Sequence, residues 1–230
     1  SLENKPQHLA PIQPKEWEFA QASALGLYDY LRKSKSKGFV LSLSGGADSS
    51  SIAVLVAEMV RRGIHELGVE KFVEKSGIQL THGSNNPEKE LVNQLLTTAY
   101  QGTRNSSDDT FQSAKNLAES LGAQFYAWTI DEEVTSYTEK IETALGRKLT
   151  WETDDLALQN IQARSRSPII WLLTNIKNAL LLSTSNRSEG DVGYATMDGD
   201  TSGSISPIAA VDKHFILHWL RWAEKNLDRP

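Results

Sequence analysis

Between the apolar run ending at Leu43 and the periodic stretch closing at Val60 stand Ser44, Gly45, Gly46, Asp48, Ser49 and Ser50. Adjacent glycines let a backbone turn tightly and come close to a ligand. A helix that follows such a turn presents unpaired N–H groups and the positive end of its dipole. The three serines add hydroxyl donors, so the stretch suits phosphate or pyrophosphate. It holds no lysine, and neither G-x-x-x-x-G-K-[ST] nor G-x-G-x-x-G is present. Instead an acidic residue, Asp48, stands where the helix should begin; taken alone it reads as an N-cap.

Other groups are placed to do chemistry. Asn160 and Arg164 are four apart, which puts both on one side of a helix; that spacing also describes a plain solvated face. Asp154 and Asp155 suit the first turn of the same helix as a charge pair facing its dipole. Ser106, Ser107 and Asp108 make a good helix start. His214 and His218 have metal-ligand spacing, but no third ligand accompanies them. With no cysteine anywhere, thiolate zinc sites, disulfides and cysteine nucleophiles are excluded.

The elements that must position these groups follow from periodicity. Residues 15–32 form a helix with Trp17, Ala20, Ala24, Leu27 and Leu31 near helical spacing. Residues 39–43 read as a buried strand, and 48–62 as a helix whose inner face is Ile52, Leu55, Val56 and Met59. Residues 80–90 read as a loop, 94–100 as a second strand, and 110–121 as a helix closed by Gly122. A third strand (123–130), a helix (131–145), a helix interrupted at Pro168 (156–173) and a fourth strand (178–186) follow. After glycine-rich sequence at 190–203, a last helix at 212–227 turns Trp219 and Trp222 inward. Strands alternating with helices predict an α/β fold, a parallel doubly wound sheet with helices on both faces. Ligands then bind at the carboxyl ends of the strands. The polar loops 44–48, 101–109 and 184–189 all belong to that edge.

Composition narrows the partners. The 230 residues are 39% hydrophobic and 23% charged, ordinary for a globular protein large enough to bury a full core. A net charge of −5 argues against a general electrostatic nucleic-acid binder. No run approaches the length needed to cross a bilayer, and no signal peptide is visible. A cytoplasmic location is the expectation. The first residues, to Trp17, are polar with three prolines and read as a linker.

The S-G-G-x-D-S pattern between strand and helix resembles the pyrophosphatase loop of the adenine-nucleotide α-hydrolase-like enzymes. That resemblance implies a Rossmann-like fold in which the loop holds the β- and γ-phosphates of ATP, and Asp48 binds magnesium. Within this group, "LALQNIQARSR" (156–166) resembles the N-x-x-A-R helix of NAD synthetases, and the stretch 180–213 resembles their long second signature. The resemblance covers most of the chain, from Trp17 to Leu227.

What the resemblance implies is specific. The chain would amidate deamido-NAD to NAD through an adenylylated intermediate, with ATP as co-substrate and Mg2+ as cofactor. Asp48, Glu189 and Lys213 would be catalytic, the two carboxylates holding the metal. Ser42, Ser44, Gly45, Gly46, Asp48, Ser49, Arg104, Thr184 and Lys213 would bind ATP. Asn160, Arg164, Glu189 and Asp200 would bind deamido-NAD, partly across a dimer interface, so a homodimer or higher homo-oligomer is implied. Arg104 and Ser106 belong to a loop that closes over the nucleotide. Some members carry a lysine where Met197 stands and an acidic residue near Ser204, which bears on the deamido-NAD contacts of 190–205. Ammonia would come from glutamine through an N-terminal nitrilase-like glutaminase domain. Residues 1–14 would be a linker from that domain, and 15–230 the synthetase ATP-binding domain, cut short at its C-terminus. Two other readings are open: another amidating enzyme of the group, or a nucleotide-binding sensor without chemistry.

Overall fold

Among the described residues four short strands, β1 (Phe39–Ser42), β2 (Leu96–Gly102), β3 (Gln124–Thr129) and β4 (Leu180–Leu182), pair in parallel in the order β3-β2-β1-β4. The computed structural model describes residues 13–80, 85–193 and 195–227; most of the expected N-terminal linker lies outside them. Phe39 pairs with Leu96 on one side and Leu180 on the other. The chain steps outward from β1 to β2 to β3, then returns past β1 to lay down β4. Strand order therefore reverses between β1 and β4, which in an open α/β sheet is where a crevice forms at the carboxyl ends.

Alternation along the strands divides the core. Phe39 and Leu41 face one cluster, shared with the long helix α2 (Ala47–Leu67), and Val40 faces a second with Ala99, Ile170 and Leu181. The helix α1 (Lys15–Ser34) buries Ala20, Ala24, Leu27 and Leu31. Buried Glu58 on α2 accepts from Arg61 at 2.7 and 2.8 Å and from Arg62 at 3.1 Å, and Arg62 lies 4.0 Å over the ring of Trp17 on α1. The last described helix, α9 (Lys213–Asn226), buries Trp219, which meets Phe19 edge-on at 5.4 Å; Trp222 meets Trp17 at 6.5 Å. Its His218 pairs with Glu16 at 2.6 Å. No described helix is long and apolar enough to cross a membrane.

Three helices depart from the sequence reading. The expected loop at 80–90 contains the start of α4 (Pro87–Leu95), capped by Asn86, whose side chain accepts from Lys89 N at 3.0 Å, with Pro87 in the first turn. It runs straight into β2, so that strand begins at Leu96 rather than 94. A short α3 (Val69–Ser76) buries Phe72. Helix α7 (Asp155–Lys177) continues through Pro168. In the turn before the proline, Ser165 Oγ donates to Ile161 O at 2.6 Å and Arg166 Nη1 to Gln162 O at 2.9 Å; the carbonyl that Pro168 itself leaves without an N–H is that of Arg164.

The other helices follow expectation more closely. Helix α5 (Asp108–Leu121) is capped by Ser107 and ends at Gly122, and α6 spans Asp131–Leu145. No residue of α6 is buried, and β3 exposes Tyr126, so this side of the sheet is not fully covered. Asp154 lies at the N-cap position of α7 but makes no capping bond. Its carboxylate instead takes two bonds from Arg147, at 2.9 and 2.7 Å, with others from Thr150 and Thr153. The guanidinium holds that carboxyl well below the ordinary carboxylate range. The expected dipole-facing pair is thus, for Asp154, a loop clasp.

Candidate active site

The glycine turn follows β1 and is held by its own serines. Ser49 is buried; its Oγ accepts from Ser44 N at 3.2 Å and donates to Gly46 O at 3.2 Å. Ser44 Oγ lies 3.1 Å from Ser49 Oγ and accepts from Gly46 N at 3.3 Å. Gly45 has φ +81°, and a Cβ there would lie 2.4 Å from the carbonyl oxygen of Thr110 in the first turn of α5. Gly46, not Asp48, is the N-cap of α2, with no side-chain capping bond in the motif. Asp48 is the second helical residue, and its carboxylate is engaged elsewhere.

It is engaged with the far end of the chain. Asp48 Oδ1 accepts from Asn186 Nδ2 at 3.2 Å, and Oδ2 pairs with the ammonium of Lys213. Asn186 caps α8 (Arg187–Val192), the short helix after β4, in a capping box completed by Glu189. Lys213, the first residue of α9, is delivered by two tethers: its N–H donates to Ser188 Oγ at 3.0 Å, and Arg187 N–H donates to Val211 O at 3.0 Å. Burial pushes the Glu189 carboxyl above its ordinary range, and the nearby charge of Asp48 adds to this. Asp48, Glu189 and Lys213 therefore converge where strand order reverses.

The donor set fits magnesium. Asp48 and Glu189 are hard oxygen donors, and a cation already lies against Asp48 in the form of the Lys213 ammonium. The described residues hold no group of three or more potential ligands of the His, Cys, Asp and Glu types. Magnesium bound to nucleotide needs no such cage, because one or two carboxylates, waters and substrate phosphates complete its six positions.

A second wall of the site is built by α7. Thr196 Oγ1 donates to Asn160 Oδ1 at 3.1 Å, and Arg164 Nε donates to Met197 O at 3.0 Å. Ser167 Oγ donates to Asp198 O, and Trp171 Nε1 to Ser202 Oγ at 3.0 Å. Asp200 is held through its carbonyl by Ser183 Oγ at 3.0 Å. The loop that sequence left irregular is thus strapped onto the N-x-x-A-R helix. Ser42, Thr184 and Asp200 line a cavity of about 60 Å³ with Gln101 and Arg166.

Arg104 stands apart from these residues. Its Nε pairs with Asp131 at 3.0 Å at the start of α6, its backbone N–H bonds the same carboxylate at 2.9 Å, and no ion pair among the described residues joins it to Asp48 or Glu189. Sequence reasoning missed three residues here. Gln101 donates to Ser42 Oγ at 3.1 Å and accepts from Trp128 Nε1 at 3.2 Å. Arg166, mostly buried, donates from Nε to Gln101 O at 3.1 Å; burial pushes its pKa down, and Asp200 opposes that. Asn186 is the third; its signal was legible as N-R-S-E, an N-cap followed three residues later by glutamate.

A parallel sheet with a glycine–aspartate turn after its first strand, met by the loop after β4, defines an adenine-nucleotide α-hydrolase-like domain. The family model described as NAD synthase matches residues 19–224, and the chain belongs to that family. A crystal structure of a glutamine-dependent NAD(+) synthetase from Cytophaga hutchinsonii is 61% identical with a TM-score of 0.89, covering 93% of this chain and 38% of that one. A glutamine-dependent NAD+ synthetase from Acinetobacter baumannii, solved in complex with ADP, shares the fold at 23% identity and TM-score 0.72, covering 94% of this chain and 34% of that one. The Glutamine-dependent NAD(+) synthetase of Arabidopsis thaliana is 32% identical over an alignment of 246 positions that covers 99% of this chain and 34% of that protein. The chain spans about a third of the length of these relatives.

Proposed function

We propose that this chain is the synthetase portion of a glutamine-dependent NAD+ synthetase and performs the ATP-dependent amidation of deamido-NAD. The observation that carries the reading is the meeting of Asp48, Glu189 and Lys213 at the strand reversal, beside a serine-lined glycine turn. The nicotinate carboxylate must attack the α-phosphorus of ATP, and at about 4 Å two like charges repel by about 4 kcal/mol at an effective dielectric of 20. Magnesium bound between Asp48 and Glu189 would supply charge neutralisation and align pyrophosphate as leaving group.

The side chains do the rest by position. The turn amides with Ser44 and Ser49 cradle the β- and γ-phosphates. Lys213, released from Asp48, would follow the negative charge onto departing pyrophosphate. Asn160, Arg164 and Asp200 orient deamido-NAD along α7. The α-phosphorus bond to pyrophosphate breaks as the carboxylate oxygen bonds to phosphorus. Ammonia then attacks the acyl carbon, AMP leaves, and a proton is released. In the whole protein, ammonia would come from glutamine on a separate domain. No serine acts as nucleophile in this reading, since no histidine among the described residues is bonded to Ser44 or Ser49.

Purified chain given ATP, magnesium, ammonium and deamido-NAD should form NAD, AMP and pyrophosphate in equal amounts. Folded protein that binds ATP but releases no pyrophosphate would instead identify a nucleotide sensor. Pyrophosphate release that ignores deamido-NAD would point to another amidating member of the group.

The reading extends to assembly. Helix α6 exposes Tyr137, Ile141 and Leu145, and the first turn of α7 exposes Leu156. The groove between these helices, about 440 Å³, also holds Asn160 and Arg164. A second copy of the chain covering this face would bring its residues beside the deamido-NAD wall. Ile141→Asp with Leu156→Asp should then shift sedimentation from dimer to monomer and raise KM for deamido-NAD about tenfold, leaving ATP binding unchanged. A wild-type chain that sediments as a monomer across a concentration series excludes this face as a self-interface.

A further inference from the structure

Asp48 and Glu189 sit in the helices that follow two different strands, yet one residue bonds both. Asn186 is 2% exposed. Its Nδ2 donates to Asp48 Oδ1 at 3.2 Å. Its Oδ1 accepts from Glu189 N–H at 3.1 Å, and its own backbone N–H donates to Glu189 Oε2 at 3.4 Å. The amide has one workable orientation. Turned over, it would set its oxygen against a carboxylate oxygen and its NH2 against a backbone N–H.

We infer that Asn186 is the positioning residue that sets the two proposed magnesium carboxylates relative to each other. By holding Asp48 Oδ1 it leaves Oδ2, the oxygen now against Lys213, to face an incoming cation. By capping α8 it fixes the backbone that carries Glu189. Partners that orient a metal ligand change metal affinity by about 10- to 100-fold when removed. Most N-caps bond only their own helix; this one also reaches a residue 138 positions away in sequence. The inference rests on the reading of Asp48 and Glu189 as the metal carboxylates.

The two duties of Asn186 are separable. Asn186→Ser and Asn186→Thr keep an N-cap oxygen for Glu189 N–H but lack the reach and the amide donor for Asp48. Calorimetric titration of the chain with ATP, once with excess magnesium and once with chelator, gives the gain in ATP affinity that the metal confers. In both variants that gain should fall about tenfold. Affinity for metal-free ATP should stay within about twofold, and the thermal midpoint should remain close to that of the wild type. Equal loss with and without magnesium would mark Asn186 as merely structural and overturn the inference. An unchanged gain in the variants, alongside a diminished one in Asp48→Asn, would overturn it too while leaving the metal reading intact. If Asp48→Asn also keeps the full gain, the metal reading falls and the inference falls with it.

Discussion

Asp48→Asn should lower pyrophosphate release by about a thousandfold with deamido-NAD and ammonium present, a loss of about 4 kcal/mol of transition-state stabilisation. The substitution keeps volume and shape but removes the charge that a divalent cation requires. Stability should change little, by about 1 kcal/mol or less, because the Lys213 partner is 41% exposed and its ammonium can return to water. A thermal melt beside a stopped-time pyrophosphate assay separates the two effects. Turnover near the wild-type level in a folded variant would remove Asp48 from the chemistry. It would leave the carboxylate as a counter-ion for Lys213 and nothing more. Asp48 does not cap α2, so lost activity would not have the simpler explanation of a frayed helix start.

Gly45→Ala carries the second large effect, and its origin is steric. The residue holds φ +81°, which costs a side-chain-bearing residue about 1–2 kcal/mol. The added Cβ would also stand 2.4 Å from Thr110 O, a backbone atom fixed in the first turn of α5. Either the turn or that helix end must shift, and a total loss of about 2–4 kcal/mol is expected, read as a lowered denaturation midpoint. ATP affinity should fall with it, since the serines that hold the turn would move. Gly46→Ala is the control. Gly46 has φ −83°, and its Cβ would meet only Ser44 Oγ, at 3.3 Å, so a loss of about 1 kcal/mol or less is expected. Equal losses at the two positions would show that close approach to Thr110 is not what selects glycine at 45.

The geometry of the glycine turn was legible because it is local: glycines, hydroxyls and a helix start all lie within a few residues. β1 was equally plain, being a buried run flanked by turn signals. Helix α4 was harder, because a polar sequence between an expected loop and a strand carries little apolar period; only Asn86-Pro87 announced it. Pro168 misled for a related reason. Propensity counts the lost backbone bond but cannot see the packing that carries α7 on to Lys177. The bond from Arg104 to Asp131 was not legible, since 27 positions separate them. Gln101 and Arg166 escaped because their significance is an enclosed polar contact, which no one-dimensional pattern expresses.

The pairing of Asp48 with Lys213 spans 165 positions and has a consequence for biosynthesis. A ribosome delivers the glycine turn long before it delivers the lysine or Asn186. Until that lysine emerges, the Asp48 carboxylate lacks the counter-cation it has in the folded domain. Trp219 lies in the same helix as Lys213 and is fully buried, so the step that completes the main core also seats the counter-cation. A nascent chain stalled before α9 would therefore both expose hydrophobic core and leave Asp48 without its counter-cation.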